Sequence, residues 1–183
     1  MSSDLLNAFS KNRLENEPVP DDLAKLLEHS EKFLEITGIR LLLDANERPW
    51  NDTSYLSPQE LENPDLASNV RAMAETNELI AFFAVSEDHE FYGFWRGPEK
   101  RSIADSPLVW LDNEGQYAVL EAPTFATGLV AHLSWNEDLK SFLEQIGLEI
   151  PETIPNSAWP DGLVTPETFC DALCKLYLNE SRS

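Results

Sequence analysis

The apolar positions near the start of the chain predict an amphipathic helix followed by a strand. They recur at spacings of three and four residues: Leu23, Leu26, Leu27, Phe33 and Leu34. Asp21 and Asp22 suit a first helical turn, and Gly38 suits a helix end. We therefore expect one helix from Pro20 to Gly38 and a short buried strand over residues 39–43. The polar residues 1–18 allow either a short helix or a frayed segment.

Capping patterns predict two short helices in the middle of the chain. Ser57 can cap a helix that has Pro58 at its first position, and Glu60 can complete a capping box. A second start lies at Asn63 and Pro64. Both patterns follow a polar link that lies between residues 46 and 51.

Two pairs of apolar, β-prone runs predict two hairpins. Residues 79–85 and 90–97 are rich in aromatic side chains and flank a polar turn. Residues 107–120 repeat this pattern, with 112–115 as the loop and Gly115 available for a positive φ. The segment before His132 is also expected to be a strand.

Helix signals return in the last third of the chain. Ser134 and Glu137 form a capping-box pattern before an apolar stripe that stops at Gly147. A proline-rich connector follows over residues 150–161. Thr165 and Pro166 then open a final helix.

This order of elements predicts an α+β fold, in which an antiparallel sheet of hairpins has helices packed mainly on one side. A chain of 183 residues that is 42% hydrophobic supports one domain. We predict a single domain over residues 1–183, with a C-terminal helical extension at 150–183.

The net charge of the chain favours some classes of binding partner over others. The chain has 33 acidic and 13 basic residues, a net charge of −20. Such a surface repels nucleic acid and anionic membranes, so we expect neither as a partner. A basic protein is favoured, because complementary potentials speed its encounter. Acidity that serves only solubility is the equally weighted alternative.

Features of the sequence predict the cellular compartment of the protein and the role of its two cysteines. Residues 1–11 lack the apolar core of a signal peptide, and no apolar run approaches the length of a membrane span. We therefore expect a cytoplasmic protein. Cys170 and Cys174 lie four residues apart on the final helix, where a disulfide is awkward, and are expected to be packing residues.

Signatures of catalysis are scarce, and we expect a protein that is not an enzyme and needs no cofactor or metal. The sequence contains no nucleophile elbow, P-loop, dinucleotide-binding glycine set or zinc-protease motif. His29, His89 and His132 are far apart and interpreted as ordinary surface or structural histidines. Asp112 and Glu114 in a solvated turn expose charge rather than form an acid and base pair.

Aromatic residues concentrated in the two hairpins favour a recognition surface. If the strands alternate, these rings cannot all face one core. Tyrosine and tryptophan dominate interface energetics, and acidic turn residues would rim them. Helices that cover both sheet faces are the alternative. The predicted partner-binding residues are Asp88, Glu90, Tyr92, Trp95, Trp110, Asp112 and Glu114.

The order of these features resembles the SUKH superfamily, which includes the yeast cell-wall-synthesis regulator and many bacterial immunity proteins. The resemblance covers residues 19–146 and is carried by apolar and turn patterns at 19–23, 56–61, 79–83, 92–94, 107–115 and 125–133. The resemblance implies a domain core at residues 19–146, and it does not extend to the segment from Ile150 onward.

The resemblance implies a non-catalytic immunity protein that binds and neutralises a toxin, frequently a nuclease. A nuclease toxin is often cationic because its substrate is anionic, and an acidic inhibitor suits it. The alternative function is a regulatory scaffold in a signalling or cell-envelope pathway on the same fold.

Overall fold

The computed structural model describes residues 3–133 and 137–182 of the chain. Within these ranges it contains eight α-helices and five β-strands. The helices are α1 (Ser3–Arg13), α2 (Asp21–Glu28), α3 (Ser30–Thr37), α4 (Pro58–Leu61), α5 (Pro64–Asn77), α6 (Phe125–His132), α7 (Glu137–Gln145) and α8 (Pro166–Ser181). The strands are β1 (Ile39–Leu41), β2 (Ile80–Ser86), β3 (Phe91–Trp95), β4 (Leu108–Leu111) and β5 (Tyr117–Val119).

The strands form one antiparallel sheet in the order β1-β2-β3-β4-β5, so each strand pairs with its neighbour in sequence. Both predicted hairpins are present, as β2–β3 and β4–β5. The pairing of β2 with β3 shifts register between Phe82 and Ala84. This irregularity places Phe83 and Ala84 in the same core, although they are adjacent in sequence.

Side chains on the two faces of the sheet belong to two separate cores. On the first face, Phe83, Tyr92 and Phe94 pack with apolar residues of α1, α2, α3, α6 and α7. On the second face, Phe82 and Trp95 pack with side chains of α5 and α8, with Trp50 and with residues 159–164. The predicted α+β fold with a C-terminal helix is confirmed. Strands β2, β3 and β4 contribute side chains to both cores, which explains the aromatic side chains on both faces.

The single helix predicted from Pro20 to Gly38 is two helices. The backbone leaves the helical region at His29, with φ −119° and ψ 27°. The break lets α2 pack against α6, while α3 packs against β1 and α7. Gly38 ends α3 with φ 67°, as the sequence predicts.

Local capping signals set several other boundaries. The capping box of Ser57 and Glu60 is present at α4. The predicted strand before His132 is wrong, because residues 125–132 form α6. Thr124 and Thr127 cap that helix reciprocally. The predicted cap at Ser134 lies outside the described residues.

The N-terminal segment belongs to the core, which therefore begins earlier than the predicted residue 19. Phe9 of α1 and Leu14 just after it are fully buried against the first face. Among the described residues, no helix has the length and apolar character needed to cross a membrane.

Candidate functional site

Two acidic turns lie side by side at one end of the sheet. The β2–β3 turn carries Glu87, Asp88 and Glu90, and the β4–β5 turn carries Asp112 and Glu114. The turns are neighbours because β3 pairs with β4, with Phe91 opposite Leu111. We call these five carboxylate residues the acidic turn end.

The β2–β3 turn is held by main-chain and serine contacts. His89 has φ 62°, and its amide donates to the carbonyl of Ser86 at 3.1 Å. The Ser86 hydroxyl oxygen accepts from the amide of Glu90 at 3.1 Å. The amide of Glu87 donates to the Gly38 carbonyl at 3.0 Å, which ties the turn to the end of α3. These contacts leave the side chain of Asp88 exposed.

The β4–β5 turn is organised by Asp112. Its Oδ1 accepts from the amides of Glu114 and Gln116, at 2.9 and 2.7 Å. Gly115 completes the turn with φ 84°, as the sequence predicts. Asp112 is half-buried and supports the turn, whereas Glu114 is exposed. The two carboxylates therefore differ in role: the first shapes the turn and the second presents charge.

An aromatic cluster adjoins the acidic turn end on the first sheet face. Tyr92 lies opposite Trp110 across β3 and β4. The Tyr92 hydroxyl donates to Glu90 Oε2 at 2.8 Å. Burial raises the pKa of the Tyr92 hydroxyl, and the bond to Glu90 raises it further.

His132, the last residue of α6, completes this cluster. Its ring lies against Trp110 with centroids 4.7 Å apart, and its Nε2 lies 3.8 Å from Glu90 Oε2. His132, Glu90 and Trp110 are all half-buried. His132 was predicted to be an ordinary histidine. Its place beside Trp110 depends on α6, which the sequence pattern did not predict.

The structure separates the seven predicted partner-binding residues into two groups. Asp88, Glu90, Trp110, Asp112 and Glu114 lie together at the acidic turn end and retain exposure. Tyr92 and Trp95 are only 1% and 0% exposed. Their assignment to the binding surface is wrong, because α6 covers the first ring and the C-terminal segment covers the second.

The charges of the acidic turn end are largely uncompensated. Within the described ranges, none of its five carboxylates forms an ion pair with lysine or arginine. His132 is the basic side chain beside Glu90. Like charges on adjacent turns raise the negative potential there, and a cationic partner would lower it.

A cleft of about 370 Å³ lies at the opposite end of the sheet, bordered by Phe94, Leu108 and Leu120. Asp22 lines it and accepts a hydrogen bond from the amide of Ala126 at 3.0 Å. Burial raises the pKa of the Asp22 carboxyl, while main-chain hydrogen bonds oppose that rise. Asp22 therefore satisfies the first turn of α6, which is a structural role.

Comparison of the chain with family models, curated proteins and solved structures returns no match.

Among the described residues, no group of three or more histidine, cysteine or acidic side chains is arranged to hold a metal ion. Cys170 is buried and Cys174 is half-buried on α8, and both are free thiols.

Proposed function

We propose that this protein is a non-catalytic binding protein that captures a basic protein partner at the acidic turn end. The observation that carries the proposal is the juxtaposition of two acidic turns around the half-buried ring of Trp110. A ring at the centre supplies desolvated contact area, and carboxylates at the rim steer a cationic surface towards it.

The SUKH resemblance narrows this proposal to an immunity protein that acts on a toxin in the cytoplasm. A net charge of −20 supports a basic target such as a nuclease, whose own surface must attract an anionic substrate. Binding that covers such a surface would exclude the substrate. Neutralisation then needs no chemistry from the inhibitor.

The test begins with the product of the gene immediately upstream, because an immunity protein is expected beside its toxin. Purified protein is mixed with that product, and binding is measured by calorimetry at about 50 mM and about 300 mM salt. The proposal predicts tight binding that weakens at the higher salt, together with loss of the toxin's activity.

A regulatory scaffold is the competing function, and the same experiment separates the two. If the upstream product does not bind, while a cellular protein unrelated to any toxin binds the acidic turn end, the scaffold is correct. If that end binds no protein, the proposal in both forms fails.

A further inference from the structure

A second cavity, independent of the proposed function, brings cations together in this acidic chain. It has a volume of about 300 Å³ and lies between the end of α1, the loop after β1, the end of α5 and the start of β2. Lys11, Arg13 and Arg48 line it. Trp50, Ile80 and Phe82 form its apolar wall.

Both carboxylates that line this cavity are already paired. Glu78 accepts from Arg48 at 2.7 Å, and Glu15 pairs with Arg96. Glu47, just outside the cavity, binds Arg40 through both carboxylate oxygens. The two carboxylates that line the cavity are thus neutralised, whereas Asp44 and Glu47 lie near enough to attract the Arg13 guanidinium electrostatically.

Lys11 and Arg13 are left without an ion pair among the described residues. The Arg13 guanidinium donates instead to the main-chain carbonyls of Asp44 and Glu47. Its buried Nε–H has no acceptor in the described ranges, although the residue is only 6% exposed. A buried, incompletely bonded cation beside a cavity is costly unless an anion joins it.

The apolar wall adds shape selectivity. The Trp50 ring packs on Phe82 with centroids 4.6 Å apart, and the Arg13 guanidinium lies 5.8 Å from the Trp50 ring centre. The Trp50 carbonyl accepts from Asn77 Nδ2 at 3.3 Å, which helps to fix the loop. A ligand would therefore meet a positioned aromatic surface next to two cations.

We propose that this cavity binds a small organic anion, with a phosphate or carboxylate group at Lys11 and Arg13 and a planar apolar part against Trp50. About 300 Å³ is at the small end of the range for ligand sites, which suits a ligand of one ring. Charge-assisted hydrogen bonds would hold the anionic group, and the wall would favour a ring over a bare ion.

The test titrates phenyl phosphate and benzoate into the full chain and follows the Trp50 indole resonance, assigned with Trp50→Phe. We expect a saturable shift with at least one of the two anions, and their relative affinities distinguish phosphate from carboxylate recognition. Lys11→Gln should weaken binding about tenfold, because one charged hydrogen bond is lost. Lys11 is exposed, so this variant should still fold.

Lys175→Gln is the matched control, since Lys175 is an exposed lysine on α8, remote from the cavity in sequence. It should bind like the parent protein. The proposal is overturned if neither anion gives a saturable shift up to about 10 mM. It is also overturned if Lys11→Gln and Lys175→Gln bind equally well, or if benzyl alcohol, which has no charge, binds as tightly as the anions.

Discussion

The indole Nε1–H of Trp95 donates a hydrogen bond of 2.7 Å to the main-chain carbonyl of Val164. Trp95 ends β3, and Val164 lies just before α8, so this bond joins the sheet to the C-terminal extension. The Phe169 ring of α8 packs on Trp95 with centroids 5.9 Å apart. The extension is thus part of the second core.

We predict that Trp95→Phe destabilises the fold. The change removes the bond to Val164 and leaves a gap in a fully buried site, at a cost of about 1–3 kcal/mol. Denaturant unfolding measures this cost. Tyr55→Ala is the control, since Tyr55 is 77% exposed and its loss should change stability by less than about 0.5 kcal/mol. Equal stability of Trp95→Phe and the parent would contradict the role of this bond.

The contact of Gly128 with Leu120 predicts a steric effect in α6. A Cβ at residue 128 would lie 2.2 Å from Leu120 Cδ2 and 2.8 Å from its Cγ. Gly128→Ala should therefore cost about 1–3 kcal/mol by overpacking, despite the higher helix propensity of alanine. Thermal unfolding checks this. Ala131→Ser on the exposed side of the same helix should have little effect, and an unchanged or raised melting temperature in Gly128→Ala would refute the contact.

Glu17 joins two loops through a buried arginine. Its Oε1 accepts from Arg96 Nη2 at 2.7 Å, and its Oε2 accepts from the amide of Ile103 at 2.6 Å. Glu17→Ala should cost about 1–3 kcal/mol, because the buried Arg96 guanidinium loses one of its two carboxylate partners, the other being Glu15, and the amide of Ile103 loses its acceptor. Glu99→Ala removes a long ion pair of 3.7 Å between an exposed carboxylate and the half-buried Arg101, and it should cost less than about 0.5 kcal/mol. Similar unfolding midpoints for the two variants would count against this network.

The raised pKa of the buried Asp22 carboxyl predicts how the stability of the fold depends on pH. Because burial raises its pKa in the folded state, the folded chain binds this proton more tightly than the unfolded chain. Its contribution favours folding below the ordinary aspartate pKa of about 4 and is lost as pH rises through the raised value. Asparagine cannot ionise, so Asp22→Asn should gain stability relative to the parent between about pH 4 and pH 7.

Denaturant titrations of the two proteins across this pH range give the difference directly, and the other carboxylates cancel in it. Asp21→Asn, at the exposed neighbouring residue, is the control for removing one carboxyl group from the first turn of α2. A difference for Asp22→Asn that stays constant, or that falls as pH rises, would disprove the assignment.

Local signals explain what could be predicted from the sequence. The cap of Ser57 with Glu60 and the stop at Gly38 depend on residues within one helical turn, and both are present. The hairpins follow from apolar runs around short turns. Their meander order places the two acidic turns at the same end of the sheet, so the acidic part of the candidate site can be predicted from the sequence.

Long-range packing explains what could not be predicted. The helix break at His29 reflects where α2 and α3 dock, and no proline or glycine marks it. The burial of Trp95 depends on a segment 69 residues further along the chain, which strand alternation does not reveal. His132 joins Trp110 only because α6 lies over the first face. Each of these outcomes depends on contacts between distant segments.

The proposed binding of a basic partner at the acidic turn end is tested most directly by removing its charges. Calorimetry with the upstream gene product should compare Asp88→Asn/Glu114→Gln with Glu62→Gln/Asp171→Asn. Both double variants remove two exposed acidic charges, and only the first pair lies at the acidic turn end. We expect at least about tenfold weaker binding for the first double variant and near-parental affinity for the second. Equal affinity of the two double variants would contradict the proposal.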